Sequence, residues 1–259
     1  MLTRNWRGAK QALLGMAALL AGAPVSAELP DTIAKIKPSI VVVGTYNRLR
    51  SPQFVMRGSG FVIGDGSLIV TNSHVIAESG TAGVAETLAV LARSPDEPQS
   101  REVRLVARDA EHDLALLRLI GPPLPALKLR PSETVREGQA VAFTGFPIGG
   151  ALGFSPVTHR GVISSITPIV LPGGNAQQLK DVSIRRLRNG GFTIFQLDAT
   201  AYPGNSGGPL YDIDSGEVIG VINMVFVKET KEAVLEKPSG ISYAIPSRFL
   251  IELLGKVGP

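Results

Sequence analysis

Short runs of valine, isoleucine and leucine recur along the chain, at Ile40 to Val43, Leu68 to Val70, Val103 to Val106, Val141 to Phe143, Val162 to Ile166 and Val218 to Val221. Glycine, proline or polar residues punctuate them. Runs of this length and spacing predict β-strands and an all-β chain. Asp65-Gly66, lying between Phe61-Val62-Ile63 and Leu68-Ile69-Val70, predicts a tight hairpin that delivers His74 just past the end of its second strand. Helix is scarce. The pattern admits a short segment from Pro30 to Ile36 and a terminal one from Arg248 to Leu254, with Ser247 as its cap.

The first residues belong to a different pattern. Arg4, Arg7 and Lys10 precede an apolar run from Ala12 to Ala23, and Val25-Ser26-Ala27 offers small residues where a signal peptidase cuts. Residues 1–27 therefore read as a secretory signal, too short in its apolar part for a spanning helix of about 20 residues. Its removal takes away three positive charges and no negative ones, so the formal charge falls from +4 to +1. A nearly neutral body excludes a dedicated nucleic-acid binder, which needs a clustered basic face. The remaining 232 residues can bury a large core without disulfides. With no cysteine and three scattered histidines there is no metal-ligand cluster, and no cofactor is expected.

Candidate chemistry centres on Gly204-Asn205-Ser206-Gly207-Gly208-Pro209. Glycines on both sides let the backbone bend sharply enough to expose the Ser206 hydroxyl and to converge the amides of Gly204 and Ser206 on one point, an oxyanion hole. A serine hydroxyl is a poor nucleophile at neutral pH and needs a base. Thr71-Asn72-Ser73-His74-Val75 supplies an imidazole, which in isolation titrates at about 6.5. His112-Asp113-Leu114-Ala115-Leu116-Leu117 supplies a carboxylate to fix its tautomer, followed by an apolar strand leaving for the core. The chain order is His, Asp, Ser. His112, expected on the opposite strand face from Asp113, and His159, without the Thr-Asn-Ser context, read as surface residues. Asp198 reads as a hydrogen-bonded turn residue. Gly58-Ser59-Gly60 resembles a dinucleotide loop only superficially, because the next glycine stands at 64 and no helix follows.

These segments, together with Gly58-Ser59-Gly60-Phe61-Val62-Ile63, Gly145-Phe146-Pro147-Ile148-Gly149 and Ile241-Ser242-Tyr243-Ala244-Ile245-Pro246, resemble the trypsin-like serine proteases. More narrowly they resemble the HtrA (Deg-like) branch of bacterial envelopes, over roughly Leu29 to Leu254. The resemblance implies two six-stranded antiparallel β-barrels of the chymotrypsin kind with a short C-terminal helix. The first barrel would span residues 28–123 and carry His74 and Asp113; the second would span 124–259 and carry Ser206, with Gly121-Pro122-Pro123-Leu124-Pro125 between them. It implies a serine endopeptidase acting on polypeptide substrates in unfolded or exposed segments, periplasmic or secreted, in envelope quality control. Homotrimerisation is a family expectation. The chain leaves no room for the PDZ domains of many relatives, so chaperone-like or processive behaviour is not expected. The rival class is a silent peptide-binding module on a protease scaffold.

The resemblance also bears on specificity and activation. Thr200 stands where trypsin-like relatives place an acid for Arg or Lys. Val221-Ile222-Asn223-Met224-Val225-Phe226 aligns with the wall that pairs with substrate backbone, and Val225 falls where glycine would keep the pocket deep. Preference for Val, Ala or Ile before the cut follows. Asn223 is placed to hydrogen-bond Asp113. Asn205 replaces the aspartate with which digestive relatives capture a new N-terminus, so no zymogen cleavage is expected, and the oxyanion turn depends on surrounding loops. One of these, Leu171 to Phe192, carries Lys180, Arg185, Arg186 and Arg188 against Asp181 and reads as a solvated charged loop.

Overall fold

The computed structural model describes residues 28–76, 86–93, 98–150, 153–168, 192–223 and 240–257. The signal-like segment, Met224, Val225 and the basic loop from 171 to 191 lie outside them. Twelve strands form two closed antiparallel barrels. The first holds β1 (Ile40–Tyr46), β2 (Phe54–Ile63), β3 (Leu68–Asn72), β4 (Thr87–Ala92), β5 (Gln99–Asp109) and β6 (Leu114–Leu119) in the order β1-β2-β3-β6-β5-β4. The second holds β7 (Ala140–Gly145), β8 (Val157–Pro168), β9 (Thr193–Asp198), β10 (Pro209–Asp212), β11 (Val218–Asn223) and β12 (Ile241–Pro246) in the order β10-β11-β12-β9-β8-β7. Among the described residues three α-helices accompany them: α1 (Leu29–Ile36), α2 (Ser73–Ile76) and α3 (Ser247–Gly255). Among the described residues no helix is long and apolar enough to cross a membrane.

The continuous apolar runs have a geometric cause. Successive side chains of a strand point to opposite faces, and several strands here bury both. On β1, Val41 and Val43 fill the first barrel, while Ile40 and Val42 face a second core between the barrels. On β6, Ala115, Leu117 and Leu119 point inward and Leu114 and Leu116 outward into that same shared core. Tyr211, Phe146, Phe192 and Phe249 of the second half complete it. Val141, Phe143, Ile163, Phe195, Leu197 and Ile222 line the second barrel. A strand buried on both faces loses the apolar-polar alternation of a half-exposed one, which is why Leu114 to Leu117 is wholly apolar.

The connector between barrels pairs with each in turn: Leu127 N–H donates to Val62 O at 2.8 Å and Arg130 N–H to Val218 O at 2.9 Å. The Asp65-Gly66 hairpin forms with a four-residue loop, since Ile63 pairs with Leu68. Gly66 has φ of 90°, and the Asp65 carboxylate accepts the Ser67 N–H at 2.9 Å. At α3 the expected cap is corrected. Ser247 is the first helical residue rather than the cap, and its hydroxyl donates to Arg130 O at 2.6 Å. The Arg248 N–H is instead taken by Ser132 Oγ at 3.1 Å, so the helix start is satisfied from a distant segment.

Candidate active site

His74 lies in α2, the single turn that follows β3, and Asp113 closes the turn between β5 and β6. Because β3 pairs with β6, with Asn72 opposite Leu114, the two residues just beyond the paired ends meet. His74 Nδ1 and Asp113 Oδ2 are 2.6 Å apart, and Asp113 Oδ1 accepts the His74 backbone N–H at 2.8 Å. Asn223 Nδ2, from the end of β11 in the other barrel, donates to Asp113 Oδ2 at 2.7 Å. The Asp113 carbonyl accepts Ser73 N–H and Asn72 Nδ2, both at 3.0 Å. Asp113 is buried and takes a left-handed backbone, φ 55°, a conformation Asp tolerates better than most residues. A carboxylate acceptor at Nδ1 selects the Nδ1–H tautomer and leaves Nε2 with a lone pair.

Ser206 is nearly buried, at 4% exposure, in a turn shaped by Gly204 at φ 102° and Gly207 at φ 86°. The turn is bonded within itself, Asn205 N–H to Tyr202 O and Gly208 N–H to Asn205 O, each at 2.9 Å. Gly207 N–H donates to Ile222 O at 2.9 Å, which lays the turn against the strand that ends in Asn223. On its other side the first barrel approaches too closely for any side chain. A Cβ at Gly207 would overlap Ser59 O and Thr71 Oγ1 and lie 3.1 Å from Asn72 N, and one at Gly58 would lie 2.7 Å from Val75 Cγ2 and 2.9 Å from Ser206 O. The Ser206 turn is thus wedged between β11 and the strand end that leads into His74.

Ser59 does most of the fastening. Its N–H donates to Ser206 O at 2.8 Å, its hydroxyl donates to Gly204 O at 2.6 Å and accepts Phe146 N–H at 2.9 Å, and its carbonyl accepts Thr71 Oγ1–H at 2.8 Å. Sequence reasoning missed this role, although three small residues in a row at Gly58-Ser59-Gly60 signal that other backbone comes close. Ile148 was missed as well. It holds φ 58°, rare for a β-branched residue, and its N–H donates to Pro203 O at 2.7 Å. Since a trans peptide sets C=O and N–H on opposite sides, that bond turns the Gly204 N–H away from Ile148.

The remaining candidates fall as follows. Thr200 is half-buried in the loop before the Ser206 turn, between Ala199 and Ala201, both of which bond Ser242 Oγ at 2.7 Å. Asp198 is exposed at the end of β9. The surface reading of two histidines is corrected. His112 packs between Phe249 and Phe192 with its Nδ1 2.7 Å from Asp109 Oδ2, and His159 stacks on Phe143 at 4.9 Å. The cause is the same in both: a neighbouring aromatic covers the ring. Burial lowers the pKa of His159 below its ordinary value. Among the described residues no cluster of His, Asp or Glu suits a metal ion.

Residues 58–221, from the Ser59 strand through the Ser206 turn into β11, match the trypsin-like peptidase domain. The chain belongs to the trypsin-like peptidase family. Within it, the chain carries an HtrA-like protease domain. It is 32% identical over 190 residues, 73% of this chain and 32% of the relative, to a probable periplasmic serine endoprotease DegP-like of Pseudomonas fluorescens. It is 34% identical over 239 residues, 88% of this chain and 45% of the relative, to serine protease HTRA3 of Rattus norvegicus. The chain therefore spans less than half the length of these curated relatives. Among solved structures, the HtrA-type protease AlgW with tripeptide aligns at a TM-score of 0.63 and 25% identity, covering 89% of this chain and 64% of that one. Deg5 aligns at 0.61 and 27% identity, covering 86% and 90%.

Proposed function

We propose that this trypsin-like peptidase is an exported serine endopeptidase that cleaves exposed or unfolded polypeptide segments. The observation that carries the reading is the 2.6 Å contact of His74 Nδ1 with Asp113 Oδ2, itself held by Asn223. In this reading Ser206 Oγ attacks the substrate carbonyl and its proton passes to His74 Nε2. The N–H groups of Gly204 and Ser206 receive the oxyanion. The proton then moves from Nε2 to the departing amine, which leaves an ester on Ser206. Water, deprotonated by His74, attacks that ester and returns the serine and the free acid. Asp113 keeps the ring in its tautomer and stabilises the imidazolium.

Thr200, Met224 and Val225 are the residues proposed to set the side chain accepted before the cut, and the absence of a charge at Thr200 disfavours Arg and Lys. The names of the DegP-like relatives support a periplasmic location, and the work of envelope quality control belongs to the same reading, as does assembly into a homotrimer. The test is hydrolysis of an unfolded protein by the chain and by Ser206→Ala. Loss of about 10⁴-fold or more in rate supports the reading, and undiminished cleavage by the variant overturns it. A peptide series differing only before the cut, with Val, Ala, Ile or Arg, reads the pocket: faster cleavage after Arg contradicts the specificity part alone.

A further inference from the structure

The turn that carries Asp113 also carries His112, whose side chain takes no part in the reaction just described. His112 is gripped twice by one carboxylate: Asp109 Oδ1 accepts its backbone N–H at 3.0 Å, and Asp109 Oδ2 lies 2.7 Å from its Nδ1. Asp109 Oδ1 also accepts the Glu111 N–H at 3.0 Å, so the whole turn from 109 to 112 closes on that side chain. Burial pushes the Asp109 carboxyl up, but the side-chain and backbone bonds from His112 outweigh it and hold the group below the ordinary carboxylate range. The turn is therefore organised around an ionised acceptor.

The other face of the His112 ring meets the second half of the molecule. It lies nearly parallel to Phe249 of α3, with centroids 3.9 Å apart and planes at 17°, and meets Phe192, just before β9, edge-on at 4.7 Å and 69°. Phe192 and Phe249 contact each other at 5.3 Å and 76°, and the Arg248 guanidinium lies 4.6 Å over the Phe249 ring. The charged groups among the described residues at this turn include Arg108, whose Nε donates to Ser73 Oγ, together with Asp109, Glu111, Asp113 and, from α3, Arg248. A first-barrel turn is bedded on second-barrel aromatics one residue before the carboxylate that orients His74.

Two facts make that placement matter for reaction and not for packing alone. Asp113 holds a left-handed backbone, φ 55°, which Asp tolerates better than most residues and which the bonds around the turn keep in place. Its carboxylate must also stand correctly toward both halves, since His74 comes from the first barrel and Asn223 from the second. Asn223 fixes the carboxylate from the front. The bond from Asp109 and the stack on Phe249 fix the backbone from behind.

We propose that His112 is a positioning residue for Asp113, tying the turn to Asp109 in its own barrel and to Phe249 and Phe192 in the other, so that the carboxylate is held in register with His74. The inference rests on the protease reading for its kinetic consequence, but its geometric core concerns the His74 to Asp113 hydrogen bond alone. A ring without the donor, His112→Phe, keeps the stack and loses the bond; His112→Asn keeps a donor near the position of Nδ1 and loses the stack; Asp109→Asn weakens the acceptor.

The experiment reads the downfield proton resonance of His74 Nδ1–H by NMR, assigned through its loss in His74→Ala, alongside steady-state peptide hydrolysis. The expected result for His112→Phe and Asp109→Asn is a resonance shifted upfield or broadened, with kcat lower by about 10²-fold, the scale of an ångström misplacement, and KM changed less than about threefold. His112→Asn should recover part of both. A folded His112→Phe with the parent's resonance and kcat overturns the proposal. Where His112→Phe does not fold, Asp109→Asn and Phe249→Leu are read the same way, and parent-like values in the one that folds overturn it equally. A parent chain that shows the resonance but no hydrolysis overturns the protease reading instead, and the resonance alone then decides the role of His112.

Discussion

Asn223 Nδ2 donates to Asp113 Oδ2 at 2.7 Å, and this bond joins the last residue of β11 in one barrel to a turn of the other. The same oxygen faces His74 Nδ1 at 2.6 Å. A hydrogen bond to a buried charge contributes about 1.5–3 kcal/mol. Replacing Asn223 by Ala should therefore lower kcat/KM for a short peptide by about 10- to 150-fold, the rate equivalent of that range. Asn223→Asp should be worse, because two carboxylates would face each other across the same contact. Steady-state kinetics with a melting curve on each variant check this, and an Asn223→Ala rate within twofold of the parent counts against it.

Gly207 and Gly138 offer a controlled comparison, since both have left-handed backbones, φ 86° and 84°. A Cβ at Gly138 meets nothing within 4 Å, whereas one at Gly207 runs into Ser59 O and Thr71 Oγ1. Gly138→Ala should cost only the backbone term, about 1–2 kcal/mol. Gly207→Ala should add overpacking of about 1–3 kcal/mol and displace Ser206. Denaturant unfolding measures the first difference. The rate of Ser206 modification by a serine-directed reagent measures the second, and equal behaviour of the two variants contradicts the account.

His159 predicts a slope in stability with pH. Burial lowers its folded-state pKa from the ordinary 6.5, so the unfolded chain binds the proton more readily. Unfolding free energy should then rise with pH between the folded value and 6.5, and this contribution is complete above 6.5 and lost as acid protonates the ring. His159→Phe retains a ring to stack on Phe143 and should flatten that part of the curve. Asp109 and Asp212, both lowered below 3.8, act in a separate and more acidic window. Denaturant midpoints from pH 5 to 7.5 for both proteins test the sign; identical slopes would count against it.

Much of this architecture was legible because its causes are local. Asp65-Gly66 announces its own turn, and Leu114 to Leu117 announces a strand leaving for the core. The order of His74, Asp113 and Ser206 was readable through family resemblance, not through any periodicity. What stayed hidden depends on contacts between residues distant in the chain. Ser59 reaches Gly204 across 145 positions and Arg248 finds Ser132 across 116, and no propensity encodes either. The two histidines read as surface residues failed for a related reason: neither strand alternation at His112 nor the missing Thr-Asn-Ser context at His159 says that Phe249 or Phe143 will cover the ring. Ser247 failed by one position, because the proline before it already holds the extended backbone of a helix start.

In the proposed mechanism His74, Asp113 and the Ser206 turn act together to make one nucleophile. Treatment of the chain with a fluorophosphonate, followed by peptide mass spectrometry, tests it most directly. A single adduct on Ser206 is expected in the parent, with its near-complete loss in a His74→Ala variant whose melting curve confirms folding. An unlabelled Ser206, or labelling that survives removal of the imidazole, would contradict it.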